Sequence, residues 1–186
     1  MGRAYEALDD RLTDFIRRQH VFFVATAPLA GEGHVNVSPK GLDSLRVLGP
    51  HTVAYVDLVG SGAETIAHLR DNGRITLMFC AFEGPPKILR LYGRGEVLEP
   101  GDEGFDALLP LFPEYDAVRA ILRVDVTRIT DSCGYGVPLY TFEGDRRQLH
   151  DWADRKGPER LRRYQLEKNT ESIDGLPALI ARTLRR

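Results

Sequence analysis

Apolar positions recur at helical spacing at the start of the chain. Tyr5, Leu8, Leu12, Phe15 and Ile16 share one stripe while Asp9, Asp10, Arg11, Arg17 and Arg18 fall mostly elsewhere, which predicts an amphipathic helix over residues 4–19. The period then shortens. HVFFVATA (20–27) is β-branched and aromatic, turn residues occupy 28–33, and 34–38 reads as a second strand, together a hairpin. Residues 43–51 read as a polar, proline-marked connection, and TVAYVD (52–57) as a strand delivering the chain to a glycine turn. A short helix over 63–71 follows, stopped by Asn72 and Gly73. In 74–82, Ile75, Leu77 and Phe79 alternate with Met78, Cys80 and Phe82, so neither face wants water and the strand is central or at an interface. KILRLYGRGEVL (87–98) is a long strand whose Gly93 and Gly95 predict a bulge or bend of the kind that curls a sheet.

Beyond it, ALLPLF (107–112) belongs to an acid-flanked helical excursion, and 120–130 alternates as a half-buried strand. Residues 145–168 read as charged helix restarted at Gly157-Pro158. The tail carries Ile173, Leu176, Leu179 and Ile180 for docking, then a final arginine-rich turn. About six strands with one helix inserted and a helical tail predict a mainly β fold, a small antiparallel barrel with added helices. One domain is expected over 1–186, with the barrel at about 20–143 and a helical extension over 145–186.

Composition narrows the function. Lys and Arg (25) nearly balance Asp and Glu (27), giving no general attraction for nucleic acid or anionic membranes. No apolar run approaches the roughly 18–20 residues that span a bilayer, and the acid-containing N-terminus is unlike a secretory signal, so a cytoplasmic location is expected. Cys80 and Cys133 fit free thiols. The five histidines are scattered without metal-ligand spacing, and there is no Walker loop, dinucleotide fingerprint or GxSxG elbow. No residue reads as an essential acid or base.

Three stretches could carry chemistry. In VNVSPKG (35–41), alternation turns Asn36 and Ser38 to one face, with Lys40 just beyond, a set suited to a flat polar ring or a phosphate, or else an ordinary solvated strand exit. In GSGAET (60–65) a helix N-terminus follows a glycine turn with Ser61 and Thr65 at hand, which suits an anion; Ser61 and Glu64 are equally spaced as a capping box that needs no ligand. In DSCGYGVP (131–138), Gly134 and Gly136 flank Tyr135, which could stack on a ligand or pack at a strand end.

Taken in order, FFVATA, HVNVSPKG, TVAYVDLVGSGAETIAHLRDNGRITLMFCAF and KILRLYGRGEV resemble the pyridoxamine 5′-phosphate oxidase-like, FMN-binding split-barrel family over roughly residues 20–130. The resemblance implies a six-stranded antiparallel split β-barrel, a homodimer with FMN at the subunit interface, and a small-molecule substrate. It places Asn36, Val37 and Ser38 along the flavin, Lys40 near its ring or phosphate, and Ser61, Gly62 and Thr65 at the phosphate. The chain departs from the oxidase pattern in carrying Gly62 and Ala63 where the oxidase has a basic pair, and Ile88 at a family glutamine. Positive or polar contacts would then come from Lys40, Arg90, Lys168 and Asn169, with Tyr135 closing the substrate side. KNTESIDGLP lacks the oxidase's basic substrate-phosphate residues, so the vitamin B6 reaction is not expected. The implied function is an FMN-binding oxidoreductase. The alternative is a non-catalytic flavin- or haem-binding protein for storage or sensing, and the family also includes deazaflavin users.

Overall fold

The structure, a computed structural model, describes residues 2–180. Its framework is one antiparallel sheet of eight strands: β1 (Ala4–Tyr5), β2 (Phe22–Thr26), β3 (Asn36–Lys40), β4 (Leu45–Gly49), β5 (Thr52–Leu58), β6 (Arg74–Cys80), β7 (Ile88–Leu98) and β8 (Val118–Ser132). The order is β3-β2-β6-β7-β8-β5-β4, with β1 added on β8. The sheet is open: β3 and β4 are its two ends and no backbone ladder joins them, as in a split barrel. The helices are α1 (Asp10–Arg17), α2 (Glu64–Asn72), α3 (Glu103–Leu108, continued by a tight turn at Leu109–Leu111) and α4 (Gln148–Lys168).

Two short strands raise the count from the expected six to eight. The first two residues of the helix expected over 4–19, Ala4 and Tyr5, instead pair with Thr130 and Ile129 of β8. Asp9 sets the start of α1, its carboxylate accepting from the Leu12 N–H at 2.8 Å, while Arg3 N–H and the Tyr5 hydroxyl donate to Asp131. The expected apolar stripe still packs inward, with Leu8, Leu12, Phe15 and Ile16 buried. The second addition is β4, in the stretch read as a connection. It pairs only with β5, and every one of its residues is half-buried, so it lacks the contrast between faces that period-two reading needs.

The remaining elements follow the sequence pattern. α2 ends at Gly73, whose φ of 72° is the left-handed cap that glycine favours. At the predicted kink in β7 the register against β8 shifts between Tyr92 and Gly93, and a Cβ on Gly93 would lie 2.3 Å from the Asp125 carbonyl oxygen. α4 breaks at Gly157, with φ of 69°, and resumes at Pro158.

The sheet's inner face supplies the main core, with Phe22, Val24, Tyr55, Leu77, Phe79, Leu91 and Leu122 packed against Ile66 and Leu69 of α2. A second cluster seats Phe105 and Phe112 on Val56 and Ile121, and a third packs Ala153 and Leu161 of α4 on Val59 and Ala117. After α4 the tail folds back over the body and buries Ala178 and Leu179 in the main core, while Ile173 and Ile180 stay exposed. The arginine-rich turn expected at the end lies outside the described residues. Among those residues no helix is long and apolar enough to cross a membrane.

Candidate functional site

The β2–β3 hairpin places three of the expected side chains in a row. Asn36, Ser38 and Lys40 lie opposite Thr26, Val24 and Phe22, on the face that turns inward, while the Val37 side chain points to the other face and is 62% exposed. Inward from β3 stand the N-terminus of α2 and the end of β5. Two polar networks link these elements.

In the first, the Ser38 hydroxyl donates to Asn36 Oδ1 at 3.1 Å, and Asn36 Nδ2 donates to Thr65 Oγ1 at 3.0 Å and Thr26 Oγ1 at 3.3 Å. Thr26 Oγ1 lies 2.9 Å from Nδ1 of His68, a fully buried ring whose Nε2 has no partner among the described residues. Burial pushes the His68 pKa down, against the pull of Asp174, Glu64 and Asp71. Because Thr65 Oγ1 accepts from Asn36, its own hydrogen is left for another acceptor.

In the second network the Asp57 carboxylate, fully buried, takes the Lys40 ammonium at 2.6 Å and Arg119 Nε at 2.8 Å. Burial alone would raise this carboxyl, but the Arg119 and Lys40 charges and their hydrogen bonds overturn that and hold it at about 2. Arg119 also donates from Nη1 to the Gly62 carbonyl at 2.7 Å. Two cations against one anion leave a net positive charge behind the glycine turn. On the turn's other side Asn169, fully buried at the end of α4, donates to the Gly60 carbonyl at 2.9 Å, and its Oδ1 has no partner among the described residues.

The expected capping box is not formed. Ala63 is the N-cap of α2, and among the described residues no side chain caps the helix; Ser61 is exposed, and the Glu64 carboxylate folds over Gly62, where a Cβ would lie 2.2 Å from Oε2. The box needs Ser61 at the N-cap, and the helix begins two residues later than that. The first-turn amides therefore have no side-chain acceptor among the described residues, as at helix ends that receive an anion.

The structure thus brings Asn36, Ser38, Lys40, Gly62, Thr65 and Asn169 around one turn, with Ser61 on its exposed side. The other expected residues sit elsewhere. Arg90 lies beside Met78, in line with Phe23, on the same outward face as Val37, and donates to Ser132 Oγ at 3.1 Å. Lys168 is exposed at the end of α4, and Tyr135, beyond β8, is 83% exposed. Sequence reasoning passed over Asp57, Arg119, Thr26 and His68. The acid closing the apolar run VAYV was the available signal, because a carboxylate at the end of a buried strand needs a buried cation. Arg119 belongs to no motif. Cys80 is buried, Cys133 exposed, and both are free.

Comparison with known proteins gives a consistent result. The family model described as pyridoxamine 5′-phosphate oxidase matches residues 8–133. The pyridoxamine 5′-phosphate oxidase family protein ustO of Aspergillus flavus is 42% identical over 194 aligned residues, which cover 94% of this chain and 77% of that protein. Among solved structures, HupZ of Group A Streptococcus superposes with a TM-score of 0.51 at 23% identity, over 66% of this chain and 91% of its own. A candidate pyridoxamine 5′-phosphate oxidase from Lactobacillus delbrueckii gives 0.50 at 17% identity, over 68% and 98%. At these identities the two structures speak to the fold.

Proposed function

Because the chain belongs to the pyridoxamine 5′-phosphate oxidase family, we propose that it is an FMN-binding flavoprotein, an oxidoreductase acting on a small-molecule substrate as a homodimer with the flavin at the subunit interface. The observation that carries the reading is the uncapped N-terminus of α2, facing the unspent Thr65 hydrogen and backed by the net positive Lys40–Asp57–Arg119 cluster. That donor set fits a phosphate, once the Glu64 carboxylate rotates off Gly62.

FMN would supply the hydride or electron chemistry; the protein binds and orients it. Thr65 and the first-turn amides would hold the phosphate. Both Asn36 amide hydrogens are engaged by threonines, so Asn36 acts by aiming the Thr65 and Ser38 hydroxyls. Lys40, fixed by Asp57 at the end of β3, would bring positive charge beside the ring. Asn169 and Arg119 brace the turn through the Gly60 and Gly62 carbonyls. The homodimer is supported by the outward sheet face: Phe23, Met78, Ile88 and Tyr92 are only half-buried, and Val35 and Val37 are 71% and 62% exposed.

The test is to release and identify the cofactor that co-purifies, then to titrate the stripped protein with FMN. FMN is the expected product, and Lys40→Ala and Thr65→Val are each expected to weaken its binding about tenfold, the effect of losing one hydrogen bond to a charged group. Wild-type affinity in both variants would overturn the site, and a released haem or deazaflavin would overturn the cofactor. Flavin that binds tightly yet is bleached by neither NAD(P)H nor an amine would assign the non-catalytic role of storage or sensing.

A further inference from the structure

Two clefts lie beyond the glycine turn and meet at Gln19 and His20, just past the end of α1. The first, about 510 Å³, runs along β4 over the rings of Phe22 and Phe79. The second, about 590 Å³, lies beneath the irregular segment 139–142, which crosses the body without joining the sheet. That segment is held by the Tyr140 N–H on the Phe82 carbonyl at 2.9 Å and the Phe142 N–H on the Glu83 carboxylate at 3.0 Å.

Its aromatic rings pair with rings of the body. Phe142 lies flat on His20, with centroids 3.6 Å apart and planes 4° from parallel, and Tyr140 stacks on Phe82 at 5.4 Å and 26°. Yet Tyr140 and Phe142 remain 63% and 42% exposed, so they form a thin roof over the cleft and do not fill it. The cleft is of the size that takes a small organic molecule, for which cavities of roughly 300–1,000 Å³ are typical. Its inner wall adds Phe15, Val21 and Ala81, and the opposite charges of Arg18 and Glu83 on its rim balance, which favours an occupant without net charge.

We propose that the cleft beneath residues 139–142 binds a planar, uncharged aromatic small molecule between the Phe82–Tyr140 and His20–Phe142 ring pairs. Stacked rings recognise a flat π-system, and the absence of an unbalanced rim charge disfavours an ionic one. The site is separate from the glycine turn and goes beyond the flavin reading. It is nonetheless close to β3: the adjoining cleft includes Gly41, one residue past Lys40, and a Cβ on Gly41 would lie 3.0 Å from the His20 carbonyl. A ligand here would sit at the Lys40 end of the strand.

The test uses the uncharged fluorophore N-phenyl-1-naphthylamine, which brightens in apolar sites, titrated into the full-length protein both flavin-loaded and flavin-stripped. Saturable binding at one site per chain is expected, weakened about tenfold in Tyr140→Ala with Phe142→Ala combined, from the loss of two ring contacts. Tyr140 is 63% and Phe142 42% exposed and neither belongs to the main core, so the variant should keep its fold, which circular dichroism checks. Absence of saturable binding, or binding with unchanged affinity in the variant, would overturn the proposal, the latter by placing the probe on another apolar surface. Saturable, variant-sensitive binding by a chain that takes up no flavin would support this site while sinking the flavin reading.

Discussion

Asp57 is the residue on which the site's electrostatics turn. Fully buried, it is tolerable only as the shared anion of Lys40 and Arg119. Its removal by Asp57→Ala strands two cations, one of them buried, and is expected to cost about 3–5 kcal/mol, read as a fall in the unfolding midpoint. The pH dependence has a definite sign. The folded carboxyl sits at about 2 against an ordinary 3.8, so its contribution is fully present above the ordinary value and is lost as pH falls toward 2. Roughly 2 kcal/mol should disappear over that window, and acid titrations of Asp57→Asn should show a shallower loss than wild type. Glu64 works in the opposite sense, since its carboxylate lies over Gly62 where an incoming phosphate would meet it. Glu64→Gln is expected to tighten FMN binding about two- to fivefold, the scale of one charge at a helix N-terminus, measured by the same titration as Lys40→Ala.

At the scale of elements, the bulge in β7 bends a central strand, which pairs with β6 on one side and β8 on the other. Gly93 is required there by close approach: its hydrogen faces the Asp125 carbonyl where a methyl would lie 2.3 Å away. Gly93→Ala should therefore lower stability by about 1–3 kcal/mol by forcing backbone apart, seen as a lower denaturation midpoint. A Cβ on Gly95 would instead meet the flexible end of Leu69, at 2.7 Å, and Gly95→Ala should cost less in the same assay. The long, strongly patterned elements were legible in sequence: β2, β3, β5, β6, β7, β8, α2 and the broken α4 stand where periodicity placed them, to within a few residues. β1 and β4 were not. A two-residue strand has no period to read, and β4 is half-buried on both faces.

For the whole molecule, the open side of the split barrel is spanned by side chains. Lys40 reaches from the edge strand β3 to Asp57 of β5, which lies next to the other edge strand, and Asn36 reaches α2. The tail completes the enclosure from behind, with Asn169 on Gly60, His34 at 2.7 Å from Asp174, and Leu179 in the core. The outward face of the sheet, with Phe23, Met78, Ile88 and Tyr92 half-buried, is the surface to test for the proposed homodimer. If the homodimer uses it, Met78→Asp, a charge in the middle of β6, should shift the protein to monomer in sedimentation or light scattering and lower flavin content with it. A Met78→Asp protein that stays dimeric with full flavin would remove this face from the interface.

The sequence alone determined the mainly β architecture, the inserted helix, the bulge and the kink, because those rest on local periodicity and on glycine and proline geometry that act within a few residues. It also marked Asn36, Ser38, Lys40, Gly62, Thr65 and Asn169, residue types suited to binding, though without showing that they meet. Only the tertiary structure decided that Arg119, 62 residues from Asp57, closes the charge cluster, that Glu64 lies over the turn in place of a capping box, and that Arg90 and Tyr135 stand away from the turn. Those outcomes depend on which way a strand faces and where an edge falls. Such facts are set by packing between segments far apart in the chain, and no local pattern encodes them.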